Sequence, residues 1–257
     1  RRGFIFPGSE IYGGLSNSYD YGPLGVELFR NISNLWWKKF VQQRPDMVGI
    51  RGPIIMNSKV WEASGHIKNF SDPLVECKIC HMRLRPDKPN EIVDHEKSHA
   101  KQNVEWTEPK NFNLLFRTFI GTVENDTSTV YLRGETAQGM FVDFKQILDT
   151  MAPKLPFGLA QSGKCFRNEI TQGQQVFRTL EFDLAEFEFY VKEAEWEKWF
   201  EYWQKEMEAF AKLLGIDKQK LRWRAHSKEE LSHYSKRTED LEYEFPFGFK
   251  EWFGCAY

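Results

Sequence analysis

The sequence predicts an α+β fold: an antiparallel sheet flanked by helices and interrupted by a small insertion. Three observations lead there. Candidate strands fall in neighbouring pairs, not in the strand–helix–strand alternation of a parallel sheet. Residues 23–40 and 193–214 carry apolar side chains at spacings of three and four, the signature of amphipathic helices. Residues 72–110 are polar, rich in Lys and Pro, and contain Cys77, Cys80, His95 and His99, which reads as an insertion too polar to build a core of its own. A chain of 257 residues with 41% hydrophobic content is long enough for one large core beside such an insertion.

Taken in order, residues 11–22 are rich in Gly, Ser, Asn, Tyr and Asp and read as a loop. Pro23 suits the first turn of a helix, and Leu24, Leu28, Ile32, Leu35, Trp36 and Phe40 form its apolar stripe. Short strands are expected at 47–50 and 53–56. Beyond the insertion come a strand at 129–133 and a helix at 136–148. Residues 155–169 and 177–191 read as two long strands. Their connection, 170–176, is polar and contains Gly173, which suits a long antiparallel hairpin. The helix at 193–214 carries Trp196, Trp199, Phe200, Trp203, Met207, Phe210 and Leu214 on one face. Strands at Leu221–Ala225, 241–247 and 252–256 complete the set.

Composition excludes several classes. A net charge of −2 argues against a chain that grips nucleic acid by bulk charge. No apolar run reaches the ~18 residues of a membrane span. The start, Arg1-Arg2-Gly3-Phe4-Ile5-Phe6-Pro7, lacks the apolar stretch of a signal peptide. Four cysteines are too few for a disulfide scaffold, so a reducing, cytosolic setting is expected.

The hairpin carries chemistry. In a strand running through Glu169, Arg167 and Glu169 share one face with Gln161 and Gly163. On the partner strand Arg178, Phe182, Leu184, Glu186 and Glu188 share a face. An arginine can fork onto a phosphate, a phenylalanine offers a flat surface to a purine, and a carboxylate accepts from an amine or an ammonium. Phe182 and Glu186 stand roughly 13 Å apart at strand rise, room for an adenine and a small amino acid. The pattern also fits a half-exposed hairpin with Arg–Glu surface pairs.

The insertion carries a second pattern. Cys77-x2-Cys80 is followed by His95-x3-His99, which is zinc-ligand spacing, and a helix would put both histidines on one face. The expected role is structural, with Cys77, Cys80, His95 and His99 as ligands and His81 as a substitute. The alternative is reduced thiols beside solvated histidines. The segment His95-Glu96-Lys97-Ser98-His99 also fits the H-E-x-x-H of zinc proteases, but its flanks are polar and the two cysteines would leave no place for a catalytic water.

Phe166-Arg167-Asn168-Glu169 and Phe177-Arg178-Thr179-Leu180-Glu181-Phe182 resemble motif 2 of the class II aminoacyl-tRNA synthetases. Further segments resemble the glycyl branch of that family. They are Gly13-Gly14-Leu15-Ser16 with Asp20-Tyr21-Gly22-Pro23-Leu24-Gly25, Trp61-Glu62-Ala63-Ser64-Gly65-His66, Glu135-Thr136-Ala137-Gln138-Gly139, Glu230-Leu231-Ser232-His233-Tyr234-Ser235 and Phe245-Pro246-Phe247-Gly248. They run in order along nearly the whole chain apart from the insertion.

The resemblance implies a class II antiparallel sheet of six or seven strands, with residues 1–73 and 111–257 forming the catalytic domain around an insertion at 74–110. It implies a homodimer through the motif 1 helix at 23–40, and activation of glycine by ATP with Mg²⁺, followed by transfer to tRNA(Gly). By that resemblance Arg167 contacts the α-phosphate and the glycine carboxylate, Glu169 reads the adenine amine, Phe182 stacks on the adenine and Arg178 meets the γ-phosphate. Asn168 and Phe177 belong to the same ATP-binding segment. Glu251, with Trp252, lies near Mg²⁺ or ATP. Glu135, Glu186 and Phe182 line the glycine niche, and Arg85 matches an arginine near the substrate. Leu180 stands where the family usually has arginine, so one charge near the nucleotide is expected to be missing. The resemblance also puts a third motif and an anticodon-binding domain beyond Tyr257, and the chain alone is expected to be inactive. The competing expectation is a catalytically silent, nucleic-acid-binding relative, like the accessory subunit of mitochondrial DNA polymerase.

Overall fold

The computed structural model describes residues 2–86, 89–99, 102–169, 175–228, 230–232 and 235–257. Its strands are β1 (Ile5–Pro7), β2 (Tyr19–Tyr21), β3 (Met47–Gly49), β4 (Ser71–Glu76), β5 (Arg83–Leu84), β6 (Lys110–Asn113), β7 (Arg117–Phe119), β8 (Thr129–Tyr131), β9 (Phe157–Phe166), β10 (Glu181–Tyr190), β11 (Leu221–Ala225), β12 (Thr238–Phe245) and β13 (Gly248–Ala256). Its α-helices are α1 (Pro23–Trp37), α2 (Ser58–Ala63), α3 (His66–Asn69), α4 (Pro89–Ser98), α5 (Ala137–Met151) and α6 (Trp196–Leu213). Every pairing whose register is described is antiparallel. The ladders are β1-β2, β10-β9-β3, β11-β12-β13, β5-β4-β6 and β7-β8. The α+β class therefore holds, with the described strands in ladders of two or three.

The chain divides into two compact units. One holds Arg1–Phe29, Gly49–Thr150 and Ala160–Glu188; the other holds Arg30–Val48, Met151–Leu159 and Phe189–Tyr257. In the second unit, α6 buries Phe200, Trp203, Met207 and Phe210 of the expected stripe, together with Ala211, while Trp196, Trp199 and Leu214 are half-buried. Phe210 meets Phe40 edge-on at 5.3 Å between ring centres and Phe253 at 6.1 Å. Phe40 sits where the helix that begins as α1 widens into a π-helical turn, Lys38–Gln42. Between β12 and β13, Leu241 faces Phe253 while Glu242 faces Glu251, so Trp252 is the extra residue of a β-bulge.

The first unit contains the ladder β5-β4-β6, and this ladder closes the base of the polar insertion. Ser71, Asp72, Pro73 and Leu74 pair with Asn113, Phe112, Asn111 and Lys110. The strand expected at 53–56 does not form; only Ile55 bridges, to Leu132. Pro53 has no N–H to give a ladder. The neighbouring backbone groups are taken by side chains instead: the Gly52 N–H donates to Gln161 Oε1, and Arg133 Nη1 donates to the Gly52 carbonyl at 3.1 Å.

The two long strands are also shorter than expected. β9 stops at Phe166, because the Asn168 N–H leaves the ladder for the Leu114 carbonyl at 2.9 Å and the Glu169 N–H turns back to the Arg167 carbonyl at 2.7 Å. β10 starts at Glu181, after a 3-10 turn at Gln175–Phe177. Most of the expected connection, including Gly173, lies outside the described residues, as do His233 and Tyr234. The apolar stripe of α1 divides: Trp36 is buried, whereas Leu24, Leu28 and Ile32 are exposed.

Candidate active site

The site face of the first unit begins at Arg167. Its Nε donates to the Gly134 carbonyl at 3.0 Å, and its guanidinium lies over the rings of Phe70 and Phe182, 5.2 and 5.4 Å from their centres. Phe182 and Glu186 point to one side of β10 and are partly covered, while Glu181, Asp183 and Ala185, which alternate with that side, are exposed. The hairpin thus brings a guanidinium, an aromatic ring and a carboxylate together. β9 has ended before Arg167 and Glu169, so strand alternation does not set their faces.

Two carboxylates stand close to Arg167. Glu186 accepts from the Thr136 N–H at 2.8 Å and from the Thr136 hydroxyl. Burial and the charge of Glu135 push its pKa above the ordinary range, against the Thr136 donors and Arg167. Glu135 goes the other way. Burial would raise it, but His66, Gln138 and Arg167 outweigh burial and hold it below the ordinary range. His66 Nε2 lies 3.3 Å from Glu135 Oε1, and Gln138 Nε2 donates to the same oxygen at 2.7 Å. Ser64 Oγ holds the other ring nitrogen of His66 at 2.9 Å. One carboxylate is thus kept charged at neutral pH, and the other holds its proton more readily.

Beneath these lies a buried scaffold. Gln161 is fully buried, and its Nε2 donates to the Thr136 carbonyl at 3.0 Å while its Oε1 accepts from Gly52. Arg133, 4% exposed, donates from Nε to the Lys164 carbonyl at 2.7 Å. Gly163 makes room for it: a Cβ there would lie 2.5 Å from Arg133 Nη2. Sequence reasoning gave no role to His66, Thr136, Phe70 or Gly134. Thr136 and His66 lie inside matched segments, but only folding shows which groups they touch.

Glu169 and Arg178 form an ion pair, with Nη1 at 3.2 Å from Oε1. Phe177 is half-buried in the preceding turn. Arg85 pairs with Asp72 and lines a small cavity with Leu74, Phe112, Leu114, Asn168 and Glu169. Leu180 does not point toward Glu186. It lines a cavity of about 380 Å³ together with Leu15, Tyr19, Lys164, Phe166 and Glu181. Glu181 and Asp183, both paired with Lys164, mark that as the opposite face of the hairpin from Phe182. Glu251 and Trp252 belong to the second unit, on β13.

The insertion gathers its four ligand candidates. The ligating atoms of Cys77, Cys80, His95 and His99 all lie within 4.8 Å of one another. The two Nε2 atoms are 3.2 Å apart, Cys80 Sγ is 3.5 Å from His95 Nε2, and Cys77 Sγ is 3.9 Å from His99 Nε2. A tetrahedral zinc with Zn–S about 2.3 Å and Zn–N about 2.0 Å needs separations of roughly 3.3–3.8 Å. The donor set fits that ion, and these three separations lie within about 0.1 Å of that range, while the widest pair of the set, at up to 4.8 Å, would draw together on ligation. Burial alone would raise the Cys77 thiol pKa, but the backbone N–H groups of Cys80 and Ile79 bring it below the ordinary value.

The chain is 50% identical to a glycine–tRNA ligase of Geobacillus thermodenitrificans (strain NG80-2), over 99% of this chain and 60% of that protein. It is 49% identical to the glycine–tRNA ligase of Geobacillus kaustophilus (strain HTA426) and 48% identical to that of Alkaliphilus oremlandii (strain OhILAs), each over 99% of this chain. The chain spans about 60% of the length of these relatives. Residues 121–255, which hold the Arg167–Phe182 face, match the tRNA synthetase class II core domain (G, H, P, S and T). The chain therefore belongs to the class II tRNA synthetase core-domain family.

Proposed function

We propose that this chain supplies the nucleotide- and amino-acid-binding face of a glycine–tRNA ligase. The observation that carries the reading is the convergence of Arg167, Phe182, Glu135 and Glu186 on one face of the first unit. In the proposed reaction a carboxylate oxygen of glycine attacks the α-phosphorus of ATP. A new C–O–P linkage forms, and pyrophosphate leaves. The terminal 3′-hydroxyl of tRNA(Gly) then attacks the glycyl carbonyl and releases AMP.

Arg167 binds the α-phosphate and the glycine carboxylate, where its fixed fork stabilises charge as it shifts. Phe182 stacks on the adenine, Glu169 accepts from its exocyclic amine, and Arg178 meets the γ-phosphate. Asn168 and Phe177 shape the same segment. Mg²⁺, brought with ATP, neutralises phosphate charge. Glu135 and Glu186 bind the glycine ammonium. Glycine has no side chain to read, so its niche counts the ammonium and excludes bulk. Rejecting a larger amino acid by clash is easier than rejecting a smaller one, which a pocket does by only about 1–3 kcal/mol per methylene.

Cys77, Cys80, His95 and His99 of the insertion would hold zinc as a structural S2N2 site. The exposed stripe of Leu24, Leu28 and Ile32 on α1 supports a homodimer through that helix. No described helix is long and apolar enough to cross a membrane. The deciding experiment is glycine-dependent exchange of labelled pyrophosphate into ATP by the protein carrying this chain. Exchange with glycine and not with alanine is expected. A folded protein that binds tRNA but shows no exchange would instead be a silent binding subunit.

A further inference from the structure

We propose that the metal cluster of the insertion is coupled to the nucleotide site, with Asp72 as a positioning residue that holds Arg85 beside Asn168 and Glu169. The inference rests on the zinc and ATP readings above and goes beyond them, since a structural metal site need not touch the affinity of a distant ligand.

One short strand joins the two places. At its far end β4 runs into Cys77, whose N–H closes the knuckle onto the Met82 carbonyl at 2.8 Å. At its near end it follows Phe70, whose ring lies against the Arg167 guanidinium. The Phe70 carbonyl accepts from the Leu114 N–H, and the Leu114 carbonyl accepts from the Asn168 N–H, both at 2.9 Å. Leu114 directly follows β6, the partner of β4. A shift of the β4–β6 pair is therefore a shift of Asn168.

The return strand carries the second link. β5 pairs with β4 at only two positions, Val75–Leu84 and Glu76–Arg83, and Arg85 follows at once. Two rungs make a marginal hairpin. His81, inside its loop, is a non-glycine residue in the left-handed region, at φ 60°. The helix α4, which brings His95 and His99, has 10 residues, fewer than the roughly 12–15 that an isolated helix needs. Ligation joins these weak pieces, and so fixes where Arg85 emerges. There Asp72, on β4, shares the charge of Arg85. Glu169 thereby keeps its acceptor capacity for Arg178 and for a ligand amine, although Arg85 lines the same small cavity.

Hydrogen exchange of the zinc-loaded and chelator-stripped protein tests the coupling without any activity. Amides of segments 71–76 and 164–169 are expected to exchange about tenfold faster after stripping, while those of α6 stay unchanged. Faster exchange confined to 77–99 would overturn the inference and leave the zinc site standing. Absence of metal in protein purified without chelator would overturn both. For Asp72, cobalt(II) in place of zinc reports the S2N2 geometry by its absorption bands. Asp72→Ala should keep those bands yet weaken ATP binding at equilibrium about tenfold, and Asp72→Glu should restore most of it. Unchanged ATP affinity in Asp72→Ala would overturn its role, and lost cobalt bands would make Asp72 a structural residue of the knuckle instead.

Discussion

Glu186 accepts two hydrogen bonds from one residue, Thr136, through its backbone N–H and its hydroxyl. A carboxylate so held has one rotamer to offer an incoming ammonium, and the hydroxyl offsets part of the burial that raises its pKa. Hydrogen bonds to a charged group are worth about 1.5–3 kcal/mol. Thr136→Val, which removes only the hydroxyl, should raise the KM for glycine about tenfold and leave the KM for ATP nearly unchanged. Pyrophosphate exchange at varied glycine measures this, and an equal rise in both constants would mean that Thr136 serves the fold alone.

Glu188 gives a pH signature. Burial, reinforced by Glu186 and Glu135, pushes its pKa from the ordinary 4.5 up to about 8. Between these values the folded state keeps a proton that the unfolded state has released. The stability Glu188 contributes is thus full below pH 4.5 and is lost as pH rises through 8. Its share of the slope reaches at most about 1.4 kcal/mol per pH unit. Glu188→Gln should flatten the fall in unfolding free energy between pH 5 and 8, read from urea melts across that range.

Arg167 combines a backbone contact with two ring faces and two nearby carboxylates. Arg167→Ala should lower exchange by about 10²–10³-fold, the scale for losing one stabilising donor of a transition state. Arg167→Lys should recover little, because an ammonium cannot fork onto phosphate and carboxylate together. Circular dichroism should show both variants folded. Exchange at the parental rate in Arg167→Ala would remove it from the chemistry.

Gln161 supports the site from below. Gln161→Leu would leave the buried Thr136 carbonyl and the part-buried Gly52 N–H without their partner. An orphaned buried polar group costs about 1–3 kcal/mol, so the variant should unfold at distinctly lower denaturant. The glycine KM should rise with it, since Thr136 holds Glu186.

The thiols should separate by chemistry. Burial pushes Cys165 and Cys255 up to about 12, so neither should alkylate in the folded protein. Cys80 is exposed, and zinc is what would shield it. Iodoacetamide should label Cys80 quickly only after metal removal, with peptide mapping as the readout. Rapid labelling of Cys80 in untreated protein would speak against a bound metal.

The sequence by itself determined the helices of long apolar period, the pairing of strands and the zinc-ligand spacing. These are properties of neighbours along the chain: α6 buries the middle of the stripe its period names, from Phe200 to Phe210, and Cys77, Cys80, His95 and His99 meet because a Cys-x2-Cys turn and one helix turn bring them together. The tertiary structure alone decided where strands stop and what supports the site. β9 ends at Phe166 because Asn168 finds Leu114, and 53–56 is no strand because Gln161 and Arg133 claim its neighbouring backbone groups. It also turned Leu180 away from Glu186 and set His66, Phe70 and Thr136 around Arg167, Glu135 and Glu186. Periodicity records which face a residue takes, but a hydrogen bond between groups tens of residues apart leaves no period, because the backbone will accept any partner that folding brings within 3 Å.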